Sequence, residues 1–165
     1  MAEYQITGDV PARQASGHPA VVPYQAFEGS DGPFMILAGN DRLFVKLANA
    51  LDKPEWTEDA RYKTNANRVV HRDEILAAVQ AAVGGAPRDT WVEKLRAAGV
   101  PSAPIQNIPE VLTSDQTDAL EIMQKVPKTN LNLVGMPVSF DGERPAIRMA
   151  PPDLGSADDD VFGSE

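Results

Sequence analysis

The sequence contains no cysteine, and this absence excludes several kinds of site together. Disulfide bonds, thiolate nucleophiles and metal sites with thiolate ligands all require that residue. A chain without cysteine suits a reducing compartment, so we predict a cytoplasmic protein.

Long apolar runs and an excess of basic residues are also missing. No apolar run reaches the about 18 residues that span a bilayer, so we predict no membrane segment. The 24 acidic residues outnumber the 15 basic ones, and the formal charge is −9. Because an acidic chain repels phosphate backbones, we expect no nucleic-acid partner. Some of the acidic residues form a C-terminal tail that we predict to be solvated: Asp153, Asp158, Asp159, Asp160 and Glu165.

The motifs of several enzyme classes are absent as well. There is no GxSxG, no HExxH, no GxGxxG after a predicted strand and no Walker loop. The sequence therefore predicts no metal site and no catalytic residue. The chain has two histidines, His18 in a turn between Gly17 and Pro19 and His71 among charged residues, and each is more typical of a surface position than of a catalyst.

What the sequence does contain is enough for one domain with a hydrophobic core, since 42% of its 165 residues are hydrophobic. Residues 23–27 and 34–38 are extended runs joined by a loop with an Asp31-Gly32 turn, which predicts a β-hairpin. Apolar residues then recur with helical spacing from a cap at Asn40 or Asp41 to about Leu51.

Further helices and short strands follow the first helix. We predict residues 55–67 to be a polar, irregular link and residues 122–140 to hold two or three short strands. The other predicted helices run from Val69 or Asp73 to Val83, from Pro87 to Ala98, from Ile108 to Leu112 after an Asn107 cap, and near Asp115 to Leu120. This order predicts an α+β fold with a small antiparallel sheet, several packed helices and an extended C-terminal segment.

Two groups of polar residues have simple structural interpretations. Asp31 precedes a turn glycine, so we assign it to the turn rather than to catalysis. A dense polar set surrounds Tyr62, and we expect it to tie down the long link rather than to bind a ligand. Its members are Asp59, Arg61, Asn65 and Arg68.

Short motifs along nearly the whole chain match a known family in order. They are residues 4–13 (YQITGDVPAR), Gly17-His18-Pro19, residues 23–27 (PYQAF), Asp31-Gly32, Gly39-Asn40-Asp41, Pro54-Glu55-Trp56, residues 59–62 (DARY), Thr64-Asn65, Arg68-Val69, residues 98–101 (AGVP), residues 103–105 (API) and residues 150–152 (APP). Each motif is weak, but together they are specific. The chain resembles the family III CoA-transferases, also called the carnitine dehydratase and bile-acid-inducible F family.

The resemblance implies a domain organisation. Family members are more than twice this length, and their large Rossmann-like domain carries most of the CoA-binding surface. It also carries the catalytic aspartate, which forms acyl-anhydride and thioester intermediates. This chain would correspond to a connector from that domain (residues 1–16), the small α+β domain (17–140) and the returning C-terminal segment with its acidic tail (141–165). No catalytic residue is assigned, and we expect the chain to be inactive alone.

The resemblance also implies a substrate and a partner. Family members move CoA between an acyl-CoA and a carboxylic acid, so a coenzyme A thioester is the expected substrate and no tightly bound cofactor is expected. They are interlocked homodimers. A chain without the large domain would expose an apolar surface, so we expect a homodimer or self-association.

The loop before the first strand approaches the acyl-CoA thioester in the family. We therefore predict substrate contacts by Gly17, His18 and Tyr24. Residues 13–19 are not glycine-rich here, so a glycine-gated cover is not expected. Two alternatives stay open: part of a 2-methylacyl-CoA racemase of the same family, and a non-catalytic protein-interaction module.

Overall fold

A computed structural model describes residues 2–8, 10 and 13–156 of the chain. The chain divides into two compact units, Met1–Ile105 and Gln106–Glu165. The predicted boundaries after residues 16 and 140 stay predictions. Most of the predicted acidic tail, with Asp158, Asp159, Asp160 and Glu165, lies outside the described residues.

The sheet of the first unit is a three-stranded antiparallel sheet in the order β1-β2-β3. Its strands are β1 (Tyr24–Glu28), β2 (Pro33–Leu37) and β3 (Ser102–Pro104). The predicted hairpin is confirmed, with Ala26 opposite Met35, and Met35 also lies opposite Ala103 on the other side. Because alternate residues of a strand point to opposite faces, Phe34 and Ile36 of the central strand are both fully buried in the core.

The described residues of the same unit form five α-helices. They are α1 (Ala2–Thr7), α2 (Asp41–Ala50), α3 (Asn65–Val70), α4 (Arg72–Val83) and α5 (Arg88–Ala97). The predicted cap of α2 is confirmed, since Asn40 Oδ1 accepts a hydrogen bond from the Leu43 amide at 2.9 Å. Helices α2, α4 and α5 contribute fully buried apolar side chains at helical spacing, among them Leu47, Val79 and Leu95.

The predicted link between α2 and α4 was partly wrong. It contains a 3₁₀ turn at Pro54–Thr57 and then α3, which begins at Asn65 behind a Thr64 cap. Helices α3 and α4 are separate because the backbone leaves helical geometry at His71. The buried residue of α3 is the charged Arg68, so an apolar periodicity could not reveal this helix.

The second unit holds two short helices and a two-stranded antiparallel sheet. They are α6 (Ile108–Leu112), α7 (Asp115–Leu120), β4 (Met123–Lys125) and β5 (Asn132–Val134). Asn107 and Glu110 cap each other's backbone amides at the start of α6, as a capping box. Residues 138–140 form a single bridge, between Phe140 and Glu143, instead of a third strand. The predicted α+β class is confirmed.

Residues 144–153 contain neither helix nor strand, as predicted for an extended segment. Among the described helices, none has both the length and the apolar character to cross a membrane.

Candidate functional site

The loop that leads into β1 folds into a tight turn beside the strand. The Gly17 amide donates to the Gln14 carbonyl at 2.7 Å, and the His18 amide donates to the Tyr24 carbonyl at 3.1 Å. A Cβ atom on Gly17 would lie 2.9 Å from the Gln14 carbonyl oxygen. This close approach therefore requires glycine at position 17. We call residues 14–24 the His18 loop.

The imidazole of His18 is exposed and held in one orientation. Its Nδ1 accepts a hydrogen bond from the Ala20 amide at 3.1 Å, so the proton of the neutral ring is on Nε2. The ring also contacts Tyr24, with centroids 5.7 Å apart and planes at 56°. The structure thus brings Gly17, His18 and Tyr24 together and leaves Nε2–H as a donor on an exposed side chain.

Three side chains from α3 and α4 bind the backbone of the His18 loop. Arg72 Nη2 donates to the His18 carbonyl at 3.0 Å and also to the Pro19 carbonyl. Asn65 donates from Nδ2 to the Ala20 carbonyl at 2.8 Å. These bonds fix the turn that carries the His18 ring.

Asn65 and Arg68 continue this contact at Val22. Asn65 Oδ1 accepts from the Val22 amide at 3.0 Å, and Arg68 Nε donates to the Val22 carbonyl at 2.8 Å. The backbone N–H and the carbonyl of Val22 are therefore both hydrogen-bonded to side chains.

Arg68 is a fully buried cation. Besides Val22, its guanidinium binds the carbonyls of Tyr62 at 2.8 Å and Gly39 at 3.0 Å, and the Asp41 carboxylate at 3.0 Å. Burial lowers the pKa of Arg68, while the Asp41 carboxylate opposes that effect. An arginine side chain stays protonated even when it is buried, so these hydrogen bonds accommodate the positive charge of Arg68.

The polar set predicted to tie down the link is confirmed as a structural network. Asn65 and Arg68 bind backbone atoms from distant segments, and Arg61 binds Asp59 through two guanidinium nitrogens. Sequence reasoning did not assign Arg72 to this network. The available signal was its spacing, because residues 65, 68 and 72 recur at helical intervals.

A second polar cluster lies on the surface at the start of α4. Glu74 binds His71 Nδ1 at 3.0 Å and Arg61 Nη1 at 2.6 Å. The hydrogen bond and the charge of His71, and then the charge of Arg61, lower the pKa of Glu74 against the opposing effect of desolvation. The surface role predicted for His71 is confirmed. Residues 69–74 also line a concavity of about 350 Å³.

Within the part of the chain that the structure describes, no three histidine or acidic side chains are grouped as ligands for a metal ion. The side chains of His18 and Tyr24 offer hydrogen-bonding groups in the His18 loop.

Nearly the whole chain matches one protein family. The model of the family described as CoA-transferase family III matches residues 1–158. The chain belongs to CoA-transferase family III. The resemblance inferred from its scattered motifs is thus confirmed.

Relatives in this family include enzymes of known activity. The acetyl-CoA:oxalate CoA-transferase of Acetobacter aceti is 32% identical over 139 residues, which cover 84% of this chain and 35% of that enzyme. The human succinyl-CoA:glutarate CoA-transferase is 33% identical over 115 residues, which cover 70% of this chain and 26% of that enzyme.

A solved structure in the CoA-transferase family agrees with the fold. The CaiB/BaiF family protein from Brucella suis matches with a TM-score of 0.77 and 28% identity, over 99% of this chain and 43% of that one. The chain thus spans between about a quarter and about a third of the length of these curated relatives, and under half of this structure. Both curated relatives are named as CoA-transferases.

Proposed function

We propose that the protein transfers CoA between an acyl-CoA and a carboxylic acid, and that the His18 loop forms one wall of the acyl-CoA site. The observation that supports this proposal is an exposed His18 with its ring orientation fixed, on a turn that three side chains hold in place. Membership of CoA-transferase family III supplies the reaction class. We place the reaction in the cytoplasm, in line with the absence of cysteine.

The reaction is a balanced exchange that needs no redox cofactor. The C–S bond of the acyl-CoA breaks, and one oxygen of the acceptor carboxylate passes to the released acyl group. A new C–S bond then forms at the acceptor carbonyl carbon. The resemblance assigns the intermediates to an aspartate of the large domain, so we assign no catalytic residue in this chain.

The proposed contacts follow from the geometry of the His18 loop. The Nε2–H of His18 would donate a hydrogen bond to the thioester carbonyl or to the pantetheine chain. Tyr24 would contact the same molecule with its ring edge or hydroxyl. Gly17 would contribute through its backbone, in the tight turn that its close approach to the Gln14 carbonyl permits.

We also propose a dicarboxylate as the acceptor. The two curated relatives are named for oxalate and for glutarate, which are both dicarboxylates. The first donors to test are therefore acetyl-CoA and succinyl-CoA, and the first acceptors are oxalate and glutarate.

The test is CoA exchange by the enzyme expressed from its complete gene. Chromatography of the CoA esters should show the acceptor's CoA ester appearing as the donor ester disappears. His18→Ala should lower kcat/KM about tenfold, as expected for one lost hydrogen bond of about 1.4 kcal/mol. His71→Ala is the matched control, because His71 belongs to the surface cluster with Glu74, and it should change the rate little.

Two results would contradict the proposal. Racemisation of an acyl-CoA without formation of a new CoA ester would favour the racemase alternative. Equal kcat/KM for His18→Ala and His71→Ala would remove the His18 loop from the site. The 165-residue chain assayed alone should give no exchange, and turnover by it would overturn the assignment of the catalytic carboxylate to the large domain.

Association with another protein surface is a further part of the proposal. The second unit exposes many large apolar side chains, among them Ile108, Phe140 and Met149, each more than 60% exposed. Exposed apolar groups in such number favour association. We infer that a second copy of the chain covers part of them. Sedimentation velocity should show a concentration-dependent dimer, and a strict monomer at all concentrations would contradict this inference.

A further inference from the structure

The three side chains that bind the His18 loop form one structural device. Asn65, Arg68 and Arg72 are separated by three and four residues and lie on α3 and the start of α4. The helix breaks at His71, but the side chains on both sides of the break bind residues 18–22. We call them the backbone clamp.

Five of the eight hydrogen bonds that these side chains form with described residues go to one short segment. The bonds to residues 18–22 are Arg72 to the His18 and Pro19 carbonyls, Asn65 to the Ala20 carbonyl and Val22 amide, and Arg68 to the Val22 carbonyl. All of them involve backbone atoms of the segment. The clamp therefore fixes the path of the backbone and with it the point from which the His18 side chain leaves.

The members of the clamp differ in what else they hold. Arg68 is fully buried and also binds Tyr62 and Gly39, so it supports the core as well as the loop. Arg72 is only half-buried, and the hydrogen bonds of its guanidinium to described residues go to the carbonyls of His18 and Pro19. Two adjacent carbonyls held by one guanidinium nitrogen define the turn on which the His18 ring is mounted. Arg72 is thus the member whose contacts bear most directly on His18.

We propose that Arg72, supported by Asn65 and Arg68, is a positioning residue that orients His18 for contact with the acyl-CoA. This inference rests on the proposed function. The Ala20 amide, which holds His18 Nδ1, lies inside the clamped segment, because the Pro19 and Ala20 carbonyls on either side of it are bound by Arg72 and Asn65. Loss of Arg72 should free the turn, weaken the bond from Ala20 to Nδ1 and let the imidazole populate other orientations and its other tautomer.

The first experiment examines the His18 ring in the 165-residue chain, independently of any activity. Long-range ¹H–¹⁵N NMR of the imidazole should show an unprotonated Nδ1 and a protonated Nε2 in the wild type. Arg72→Gln should shift both nitrogens toward averaged values, and Arg72→Lys should restore part of the difference. Arg42→Gln, which removes an exposed charge on α2, is the matched control and should leave the spectrum unchanged. An unchanged His18 spectrum in Arg72→Gln would overturn the proposal.

The second experiment measures CoA transfer by the enzyme expressed from its complete gene, with the donor and acceptor that react fastest. Arg72→Gln should raise KM for the acyl-CoA by up to about tenfold, and by no more than His18→Ala does, because it misplaces the group that His18→Ala removes. In the double variant with His18→Ala, the second substitution should add little, because Arg72 acts through His18.

Two outcomes would refute the positioning role and leave the proposed function standing. One is that the losses of the two substitutions are fully additive. The other is that KM is unchanged in Arg72→Gln but raised in His18→Ala. Absence of transfer in the wild type would instead remove the proposed function, while the NMR result would still decide whether Arg72 orients the ring.

Discussion

The guanidinium carbon of Arg68 lies 4.3 Å from the centroid of the Phe44 ring, in the core of the first unit. Both residues are buried, and Arg68 is the largest fully buried side chain in the described part of the chain. The ring face of Phe44 and three backbone carbonyls stabilise this cation, so a charged side chain is accommodated beside the apolar core.

Replacement of this cation should destabilise the fold strongly. In Arg68→Met, the carbonyls that Arg68 binds lose their donors while they remain shielded from water. We expect the free energy of unfolding to fall by about 3 to 5 kcal/mol, measured by urea denaturation. Arg42→Met is the control, because Arg42 is exposed, and it should stay within about 0.5 kcal/mol of the wild type. A fall of less than about 1 kcal/mol for Arg68→Met would show that the buried charge is not supported by these bonds.

The contrast between Arg68 and its apolar neighbours explains how far the sequence predicts the fold. Helices α2, α4 and α5 bury apolar residues such as Leu47 and Val79, so their period is visible in the sequence. The helix that contains Arg68 buries a charge and has no such period. Its existence depends on contacts with Val22 and Gly39, which lie 46 and 29 residues away.

The candidate site shows the same division. The proximity of Gly17, His18 and Tyr24 could be expected from their short separation and from the family resemblance. The role of Arg72 could not, because its partners are backbone carbonyls 54 and 53 residues earlier in the chain. Every residue, proline included, has a backbone carbonyl, so the sequence of the bound segment does not reveal its contact with Arg72.

Asp31 links the turn of the β-hairpin to the start of α5. It was predicted as a turn residue, and its Oδ1 accepts a hydrogen bond from the Arg88 amide at 2.7 Å. The residue that precedes α5, Pro87, provides no side-chain cap. Asp31→Ala should therefore lower the free energy of unfolding by about 1 kcal/mol, as the loss of a helix cap does.

The matched variant for this cap is Asp31→Asn, which keeps an oxygen acceptor and should retain most of the stability. Thermal or urea unfolding of both variants checks the prediction. Equal losses in the two would indicate that the negative charge at the start of α5 matters, rather than the hydrogen bond to Arg88.

The surface cluster around Glu74 predicts a pH dependence of stability. The pKa of Glu74 is lowered from its usual 4.5, chiefly by its hydrogen bond with His71 and further by Arg61. The carboxylate therefore stabilises the fold at pH values above about 4.5, and this contribution is lost as the pH falls through the lower folded pKa. Glu74→Gln should make the decline of stability below that pH shallower, in urea unfolding at a series of pH values.

Asp73→Asn serves as the control for Glu74→Gln. It removes a carboxylate from the same turn of α4, and among the described residues Asp73 forms no hydrogen bond with Arg61 or His71. The acid limb of Asp73→Asn should follow that of the wild type more closely. Identical limbs for the two variants would mean that the bonds of Glu74 do not persist in solution.

The contact between Gly39 and Val21 predicts a steric coupling between the start of α2 and the His18 loop. A Cβ atom on Gly39 would lie 1.7 Å from Cγ1 of Val21, so Gly39→Ala must displace the loop or the helix. We expect a loss of about 2 kcal/mol, typical of an overpacked site. Val21→Ala removes that methyl group and leaves the Val21 Cβ contact of 3.2 Å, so Gly39→Ala should cost less than half as much in this background.

Gly85→Ala is the control for Gly39→Ala, since a Cβ atom at position 85 meets nothing within 4 Å. Urea unfolding should show its free energy of unfolding within about 0.5 kcal/mol of the wild type. If Gly39→Ala cost the same with and without Val21, the His18 loop would not rest on the start of α2.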